Sequence, residues 1–299
     1  MTLRQLLDVP APAKLNLFLH IVGRREDGYH LLQSVFMLID WADTLHFELR
    51  DDGQISREDL NSTAPPLPGN DLVVRAARAL QQASGCTLGA HIALDKRIPV
   101  EAGMGGGSTD AASTLLALNQ LWNLHWPLDK LLPLGLALGA DVPFFLGGRN
   151  AWVEGIGEQL HPLELPPARF FVLKPPTGAS TPKIFSSPDL QRATKHATMA
   201  DFAANDISMP NQPEMGQRIY GFGHNDLQPV AKALCPDIDQ GLSWLQARGL
   251  NGRMTGSGSA LFARIPRGFM QMPDTSDLPP GWQSKICSNL NEHPLIGWR

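Results

Sequence analysis

The clearest pattern of apolar and polar positions near the start of the chain lies in residues 10–23. Leu15, Leu17 and Leu19 alternate there with Lys14 and Asn16, and a period of two predicts a strand with two distinct faces. Lys14 and Asn16 therefore share one face. A single lysine in an apolar strand usually reaches solvent at a rim, but a lysine and an asparagine on one face, far from a turn, are more typical of a site.

The same reading predicts the remaining elements. Residues 31–49 are predicted as a strand, a bend near residues 41–43 and another strand. Asn70 or Asp71 is expected to cap a helix over residues 72–84. Residues 188–223 are polar and weakly periodic, which indicates a mobile loop or an insertion. Further strands are predicted at 90–98, within 151–163, at 169–173, within 250–264 and at 283–288, and further helices begin near 110, 129, 225 and 238.

The order of these elements indicates the fold class. Strands and helices are mixed without a regular βα alternation, which favours an α+β fold over a doubly wound sheet. A chain of 299 residues forms one large or two medium domains. We place the boundary in the proline-containing residues 165–168 and predict two domains, residues 1–166 and 167–299.

A glycine-rich stretch lies between the predicted strand 90–98 and the helix that follows it. Residues 103–109 read GMGGGST, so the glycines lead directly into a helix N-terminus. Free backbone N–H groups and the positive end of the helix dipole suit an anion there, and the hydroxyls of Ser108 and Thr109 can cap the helix, touch phosphate or reach a metal ion. The alternative is a tight connection without a ligand, and the stretch alone does not decide between the two.

Two common nucleotide motifs do not describe this stretch. A Walker A loop is excluded because no Gly-Lys-Ser/Thr follows the glycines. The dinucleotide fingerprint fits badly, since Ser108 stands where its last glycine belongs. The anion site, if present, is therefore of another type.

Composition and charge narrow the classes of protein. Hydrophobic residues make up 43% and charged residues 18% of the chain, which predicts a folded core rather than global disorder. The net charge is −4 and no Lys/Arg run exceeds Arg24-Arg25, which argues against nucleic acid as a partner. An anionic substrate remains compatible, because local groups make such a site.

The cysteines and the first residues of the chain indicate in which cellular compartment the protein is expected. The three cysteines, at positions 86, 235 and 287, are too widely separated for a disulfide framework or a metal-ligand motif. The first residues lack the continuous apolar segment of a signal peptide, and no stretch of about 20 residues is apolar enough to span a membrane. We expect a cytoplasmic protein that has no membrane partner.

Three further positions stand out for their chemistry. Asp141 lies between Gly-Ala and a long apolar segment, where a carboxylate is costly unless it is paired, although a helix-capping role is an ordinary alternative. Tyr29 and His30 close a polar turn and could stack on a ligand or merely close a small core. Residues 255–259, TGSGS, form a second flexible turn that alone would be an ordinary hairpin.

Three stretches, taken in order, carry a resemblance to a known family. Residues 11–21 (APAKLNLFLHI), 99–112 (PVEAGMGGGSTDAA) and 251–263 (NGRMTGSGSALFA) resemble the three signature motifs of the GHMP kinases. Residues 23–36, 138–148 and 153–160 are similar to the branch that phosphorylates 4-diphosphocytidyl-2-C-methyl-D-erythritol. The resemblance covers residues from about 10 to 290 and is poorest at 188–222.

The resemblance implies a fold and a reaction. The fold would be an α+β GHMP kinase fold whose N-terminal domain is like domain 2 of ribosomal protein S5, with a C-terminal α+β domain. The reaction would transfer the γ-phosphoryl group of ATP to the 2-hydroxyl of the diphosphocytidyl substrate, in the non-mevalonate route to isopentenyl diphosphate. The expected partner is thus a small molecule that carries a cytidine diphosphate group.

The resemblance also implies the site residues. Lys14 and Asp141 would be the catalytic pair. The substrate would contact Asn16, Tyr29, His30, Thr181 and Phe185, with Tyr29 stacking on the cytosine, His30 hydrogen-bonding to it and Phe185 forming the opposite wall. Mg²⁺ is expected with ATP, without assigned protein ligands. ATP would be bound by Pro99, Val100, Glu101, Ala102, Gly103, Met104, Gly105, Gly106, Gly107, Ser108 and Thr109.

Other functions remain open at this point. Another GHMP kinase, acting on homoserine or a mevalonate-type alcohol, would share the fold, but the Gly28-Tyr29-His30 piece argues against it. A non-catalytic ligand-binding member would lack the catalytic pair, and an RNA-binding relative would carry a basic patch. A monomer or a weak homodimer is expected.

Overall fold

Two long strands, β1 (Gln5–Arg24) and β2 (His30–Arg50), pair antiparallel from end to end. The bend predicted at residues 41–43 is wrong. β2 stays one strand there, and a bulge between the pairs Pro12–Ala42 and Lys14–Leu38 absorbs the extra residues. The computed structural model describes residues 3–61, 67–204, 218–269 and 273–298.

The strands form two sheets. In the first, whose strand ranges are given below, β1 pairs with one edge of β2. The other edge of β2 pairs with both β4 and β5, and the strand order is β3-β4-β2-β5-β6. The second sheet is antiparallel and ordered β10-β7-β9-β8. The remaining strands are β3 (Ile55–Asp59), β4 (Gly89–Asp95), β5 (Ala151–Glu154), β6 (Gln159–Pro162), β7 (Arg169–Lys174), β8 (Gly252–Met254), β9 (Leu261–Ile265) and β10 (Gln283–Ser288).

Helices cover the outer face of each sheet. Short 3-10 helices lie at Arg218–Gly221 and Ile296–Trp298. In the ranges that the structure describes, every helix is too short or too polar to cross a membrane. The α-helices are α1 (Leu72–Ser84), α2 (Gly106–Leu121), α3 (Leu128–Leu138), α4 (Val142–Gly147), α5 (Thr181–Ser186), α6 (Met199–Ala204), α7 (Gln228–Leu234) and α8 (Pro236–Gln246).

Three apolar clusters show how the layers pack. The first cluster packs the four helices α1, α2, α3 and α4 against one face of the first sheet. The second lies between the two sheets, where Leu15 and Leu17 of β1 meet Phe170 and Val172 of β7. The third joins the second sheet with α7 and α8. β1 is therefore buried on both faces, and a polar residue on it must find partners inside the protein.

The predicted α+β class is confirmed by this arrangement. The strands predicted in the second half are present, and β10 has the predicted bounds. Residues 181–186, where the sequence patterns predict no element, form a helix, α5. Part of the predicted loop at 188–223 lies outside the described residues, and α6 lies in its described part.

The predicted boundary between residues 166 and 167 stays a prediction. The last described residues return to the first sheet, since the Leu290 N–H donates to the Leu38 carbonyl at 2.9 Å and Asn289 bridges to Ile39. The end of the chain thus packs on the N-terminal half as well as on its own sheet.

The start of α1 allows a stability test. Asp71 is the residue that caps α1, because its carboxylate accepts from the Val74 N–H at 3.1 Å, and it also pairs with Arg57 at 2.7 Å. Asp71→Ala should lower the free energy of unfolding, measured by urea denaturation, by roughly 1–2 kcal/mol.

The neighbouring residue is the matched control. Asn70 is exposed and, among the residues that the structure describes, its side chain accepts only from the Arg78 guanidinium, at 3.1 Å. Asn70→Ala should change stability by less than about 0.5 kcal/mol. A larger loss for Asn70→Ala than for Asp71→Ala would contradict this assignment of the cap.

Candidate functional site

Lys14 is carried by β1 into the interior beside the glycine-rich stretch, and only 4% of it is exposed. Its ammonium lies 3.5 Å from the Asp141 carboxylate and donates to the Asn16 Oδ1 at 2.5 Å. The ammonium also lies 4.3 Å from the centre of the Phe36 ring, a cation–π distance. The alternation along β1 puts Lys14 and Asn16 on one face, as the pattern predicts.

Burial and pairing act in opposite directions on this lysine. Burial lowers the pKa of Lys14, and the nearby Asp141 carboxylate opposes that shift without cancelling it. The ammonium is therefore easier to deprotonate than that of an exposed lysine.

Asp141 stands at the N-cap position of α4, but its side chain makes no capping hydrogen bond. Its carboxylate turns to Lys14 instead, and 31% of the side chain is exposed. The geometry therefore favours the paired carboxylate over the helix cap. Because the carboxylate is partly open to solvent, a small molecule can reach it.

Asn16 ties this pair to the second half of the chain. Its backbone N–H donates to the Thr255 hydroxyl at 2.8 Å, and its side-chain amide donates to the Ser34 hydroxyl at 2.9 Å. The amide oxygen is left to accept from Lys14. Asn16 is thus fixed on every side and in turn fixes the ammonium.

The glycine-rich stretch begins α2 as predicted. Gly105 is the N-cap residue with a φ of 72°, a left-handed conformation that glycine adopts without strain. The first-turn amides that follow have no acceptor within the helix, which is the arrangement that suits an anion at its positive end. Ser108 is half-buried, whereas Thr109 is fully buried and its backbone N–H already donates to the Gly105 carbonyl at 2.9 Å.

Close packing also explains why these positions are glycines. A Cβ on Gly103 would lie 2.4 Å from the Thr255 carbonyl oxygen, and one on Gly105 would lie 2.8 Å from the Phe145 ring. A Cβ on Gly106 would lie 3.0 Å from the Lys96 ammonium. The tight connection, one of the two alternatives that the sequence left open, is thus present, and an anion site at the same loop stays a prediction.

The turn at residues 255–259 lies directly against this loop. The Ser259 N–H donates to the Glu101 carbonyl at 3.3 Å, and the Ala260 N–H donates to the Ala102 carbonyl at 3.1 Å. Asn225 holds the turn from behind, since its amide donates to the carbonyls of residues 254 and 256 at 2.8 and 2.9 Å. Sequence reasoning missed Asn225 as a site-shaping residue, because it had the ordinary signature of a helix start.

A second buried lysine lies beneath the N-terminus of α2. Lys96 pairs with Asp110 at 2.8 Å and with Asp43. Burial pulls the pKa of Lys96 down, but the two carboxylates outweigh it and raise the pKa above its usual value. This cluster holds the strand end at β4 to the helix that presents the glycine-rich loop.

Beside the loop, a cavity of about 520 Å³ opens between the two halves of the chain. Pro99 and Val100 line it together with Lys96 from the first half and Lys174 from the second. Its volume suits a small-molecule site. The first two residues of the predicted nucleotide set therefore border a cavity, and they precede the glycine-rich loop in the chain.

A separate group of side chains gathers where β2 begins. The rings of His30 and Phe185 lie 5.1 Å apart, and the Arg192 guanidinium donates to the His30 imidazole at 3.1 Å. We call His30, Phe185 and Arg192 the His30 cluster. Tyr29 is 60% exposed, so its ring presents a face to solvent. Arg192 falls in the weakly periodic stretch, where no sequence signal marked it.

Thr181 connects the two groups. Its hydroxyl lies 2.6 Å from the Ser257 hydroxyl of the second turn, at the start of α5, and Phe185 stands at the end of the same helix. The predicted site residues therefore form two groups, one around Lys14 and Asp141 and one around His30, that α5 joins.

Comparison with known proteins identifies the family to which the chain is similar. Residues 71–149 match the model of the GHMP kinase N-terminal domain, and residues 202–268 match that of the GHMP kinase C-terminal domain. A 4-diphosphocytidyl-2-C-methyl-D-erythritol kinase of Variovorax paradoxus (strain S110) is 60% identical over 298 residues, 99% of each chain. One of Polaromonas naphthalenivorans (strain CJ2) is 62% identical over 99% of this chain and 97% of its own.

A solved structure agrees with these sequence relatives. The crystal structure of a 4-(cytidine 5'-diphospho)-2C-methyl-D-erythritol kinase is similar with a TM-score of 0.68 and 34% identity. The similarity covers 87% of this chain and 89% of that one.

The environment of Lys14 predicts how it titrates. Its pKa should lie below the ordinary lysine value of 10.5 because of burial, and Asp141→Asn should lower it further by removing the opposing carboxylate. Nitrogen NMR of the lysine side chains across alkaline pH measures this, with Lys14→Arg to assign the signal. Asp129→Asn removes an exposed carboxylate of α3 and should leave the Lys14 signal unchanged. A Lys14 pKa that does not respond to Asp141→Asn would contradict the pairing.

Proposed function

Because the chain belongs to the 4-diphosphocytidyl-2-C-methyl-D-erythritol kinases of the GHMP kinase family, we propose that Lys14 and Asp141 are its catalytic pair. The enzyme phosphorylates the 2-hydroxyl of 4-diphosphocytidyl-2-C-methyl-D-erythritol with ATP, a step of the non-mevalonate route to isopentenyl diphosphate. One observation supports the pair above others, namely a buried ammonium 3.5 Å from a partly exposed carboxylate, next to a glycine-rich helix start.

The glycine-rich loop and the cavity beside it are where ATP fits. The free first-turn amides of α2 would hold its phosphates, and the cavity lined by Pro99 and Val100 would take its nucleoside end. ATP supplies the phosphoryl group, and this chain supplies positioning and charge. Gly103 and Gly105 let the loop pack against Thr255 and Phe145, which fixes the position of the helix start.

Mg²⁺ is proposed to accompany ATP rather than to sit in a protein cage. Over the described ranges, no group of three or more His, Cys, Asp or Glu side chains is arranged to hold a metal ion. Mg²⁺ commonly binds through substrate phosphates with few protein ligands, which fits this donor set. A Cβ on Gly139 would lie 3.9 Å from the Ser108 hydroxyl, so that hydroxyl lies near the segment leading to Asp141 and is the nearest candidate ligand.

Asp141 is proposed to act on the acceptor. Its carboxylate takes or orients the proton of the attacking hydroxyl, a role that typically contributes about 10²–10⁴-fold to a rate. The partial exposure of the carboxylate leaves room for the hydroxyl to reach it. The absence of a capping bond leaves its oxygens available for that proton.

Lys14 is proposed to stabilise charge. Its ammonium has three N–H donors, of which Asn16 and Asp141 take two directions. The remaining capacity can polarise the acceptor hydroxyl and offset the charge of the transferring group. Burial strengthens both effects, because the local dielectric is low.

The substrate is proposed to extend along α5. Its cytosine would lie in the His30 cluster with Tyr29 as a stacking face, and its methylerythritol end would lie at Asn16 and Thr181. Residues 181 and 185 lie about one turn apart on α5, so this helix connects the two groups that the substrate would contact. A small alcohol such as homoserine would not reach the His30 cluster.

Two attributes stay predictions of the sequence. A monomer or weak homodimer is proposed, and light scattering over a concentration series measures it. A cytoplasmic location is likewise proposed, from the cysteine usage.

Removing the Asp141 carboxylate tests the catalytic pair. Asp141→Ala should lower turnover by at least about 10²-fold, because the acceptor hydroxyl loses its proton acceptor. ATP affinity should stay near the wild-type value, since Asp141 is outside the glycine-rich loop. A coupled ADP-release assay measures turnover, and calorimetry measures nucleotide binding.

The matched control removes the same charge nearby. Asp129→Ala changes an exposed carboxylate in the first turn of α3 and should leave turnover unchanged. Near-normal turnover of Asp141→Ala would remove Asp141 from the proposed role.

A substrate panel tests the acceptor. The wild-type enzyme should release ADP with 4-diphosphocytidyl-2-C-methyl-D-erythritol and far more slowly with homoserine, galactose or mevalonate, since these do not span both groups of side chains. Equal rates across the panel would favour a small-alcohol kinase of the same fold, and no ADP release with any acceptor would favour a non-catalytic member.

A further inference from the structure

Arg192 joins the two walls of the His30 cluster through one guanidinium. Its Nε–H donates to the His30 Nε2 at 3.1 Å. Its Nη2 donates to the carbonyls of Phe185 and Ser187 at 3.0 and 2.6 Å, and its Nη1 to the Leu190 carbonyl at 3.0 Å. The end of α5, which carries Phe185, is therefore tied to the start of β2, which carries His30.

The backbone around Arg192 is anchored independently to the first sheet. The Thr194 N–H donates to the Ile21 carbonyl at 3.0 Å, and the Thr194 hydroxyl donates to Asp226 at 2.7 Å. Gln33 of β2 exchanges two hydrogen bonds with the backbone of Ala197, at 2.9 and 3.0 Å. Arg192 thus approaches His30 from a segment that is fixed on the N-terminal half of the chain.

The contact with Arg192 determines which ring nitrogen of His30 carries hydrogen. A guanidinium has only N–H donors and does not lose its proton in proteins. The His30 Nε2 must therefore be an unprotonated acceptor, and a neutral imidazole carries its hydrogen on Nδ1. Within the part of the chain that the structure describes, no protein group takes that Nδ1–H.

We propose that Arg192 is a positioning residue that selects cytosine by holding His30 as the Nδ1–H imidazole. This rests on the proposed function, in which His30 faces the pyrimidine. An Nδ1–H donor matches the unprotonated N3 of cytosine. The N3 of uracil carries a hydrogen, so the two donors would oppose each other, and the uridine analogue would be rejected.

The surroundings of His30 keep the ring in this state. Burial lowers the pKa of His30, and the positive charges of Arg192 and Arg24 lower it further. An imidazolium with hydrogen on both nitrogens would face the Arg192 donor directly. The neutral ring is therefore retained at neutral pH, and selection does not depend on a charged histidine.

The test compares CDP and UDP as probes of the pyrimidine site. Calorimetry should show that the wild-type chain prefers CDP. Arg192→Gln should weaken CDP binding by roughly tenfold and leave UDP binding nearly unchanged, so that the preference shrinks. The KM for the diphosphocytidyl substrate should rise similarly, while kcat at saturation and the KM for ATP stay near wild-type values.

Nitrogen NMR of the His30 ring reads the tautomer directly. The wild-type chain should show hydrogen on Nδ1, and Arg192→Gln should show a mixture or a shift to Nε2. Arg192→Lys keeps the charge but lacks the fork of donors, so it should resemble Arg192→Gln in both the tautomer and the CDP preference. Restoration of both by Arg192→Lys would overturn the proposal in favour of charge alone.

Two controls separate this role from simpler ones. Arg25→Gln removes a positive charge from the same turn, where Arg25 pairs with Asp27 at 2.7 Å, and should leave the tautomer and the CDP preference unchanged. Thr194→Val loosens the anchored segment without touching His30 and should keep the Nδ1–H form. Loss of the Nδ1–H form in either control would overturn the proposal.

Failure of this inference can be told from failure of the proposed function. If Arg192→Gln keeps the CDP preference and the tautomer while the wild-type chain phosphorylates the diphosphocytidyl substrate, only the role of Arg192 is wrong. If the wild-type chain prefers CDP through the Nδ1–H imidazole but phosphorylates no diphosphocytidyl substrate, the proposed function fails and the role of Arg192 stands.

Discussion

The rest of the site depends on the contacts that stabilise the buried ammonium of Lys14. An ion removed from water costs several kcal/mol unless partners replace its hydration. β1 is buried on both faces, so those partners must come from inside the protein. Asn16 supplies an amide oxygen, Phe36 a ring face and Asp141 a carboxylate. Asp141 at the start of α4 and Phe36 of β2 must therefore both lie next to Lys14.

The glycine-rich loop packs closely against Lys14 because its glycines have no side chains that would separate the two. The Lys14 N–H donates to the Met104 carbonyl at 2.9 Å, and a Cβ on Gly105 would lie 3.3 Å from the Lys14 side chain. On its other side the loop meets residues 255–260 backbone to backbone, with Gly103 against Thr255. The start of α2 and the Lys14–Asp141 pair are consequently held by both halves of the chain at once.

Local patterns predicted the elements well, because strands and caps depend on neighbours in sequence. Such patterns predicted the cap of α1, the strands within residues 151–163, and β10. The family resemblance drew attention to Lys14, Asp141 and the stretches at residues 103–109 and 255–259. Contacts between distant segments left no such trace. Arg192 and Asn225 act through carbonyls, which every residue has, so no residue pattern marks their partners. The predicted bend at residues 41–43 is wrong because β2 continues through them as one strand, with a bulge in its pairing with β1.

The two buried lysines show how one residue type is put to different uses. Burial lowers the pKa of both. In Lys96 the carboxylates of Asp110 and Asp43 outweigh burial and raise the pKa, so its charge is locked and its role is to hold α2 in place. Lys14 has one carboxylate, farther away and partly solvated, and its pKa ends below the usual value. Its charge is incompletely compensated, which is the condition under which the proposed stabilisation of a transferring phosphoryl group would be largest.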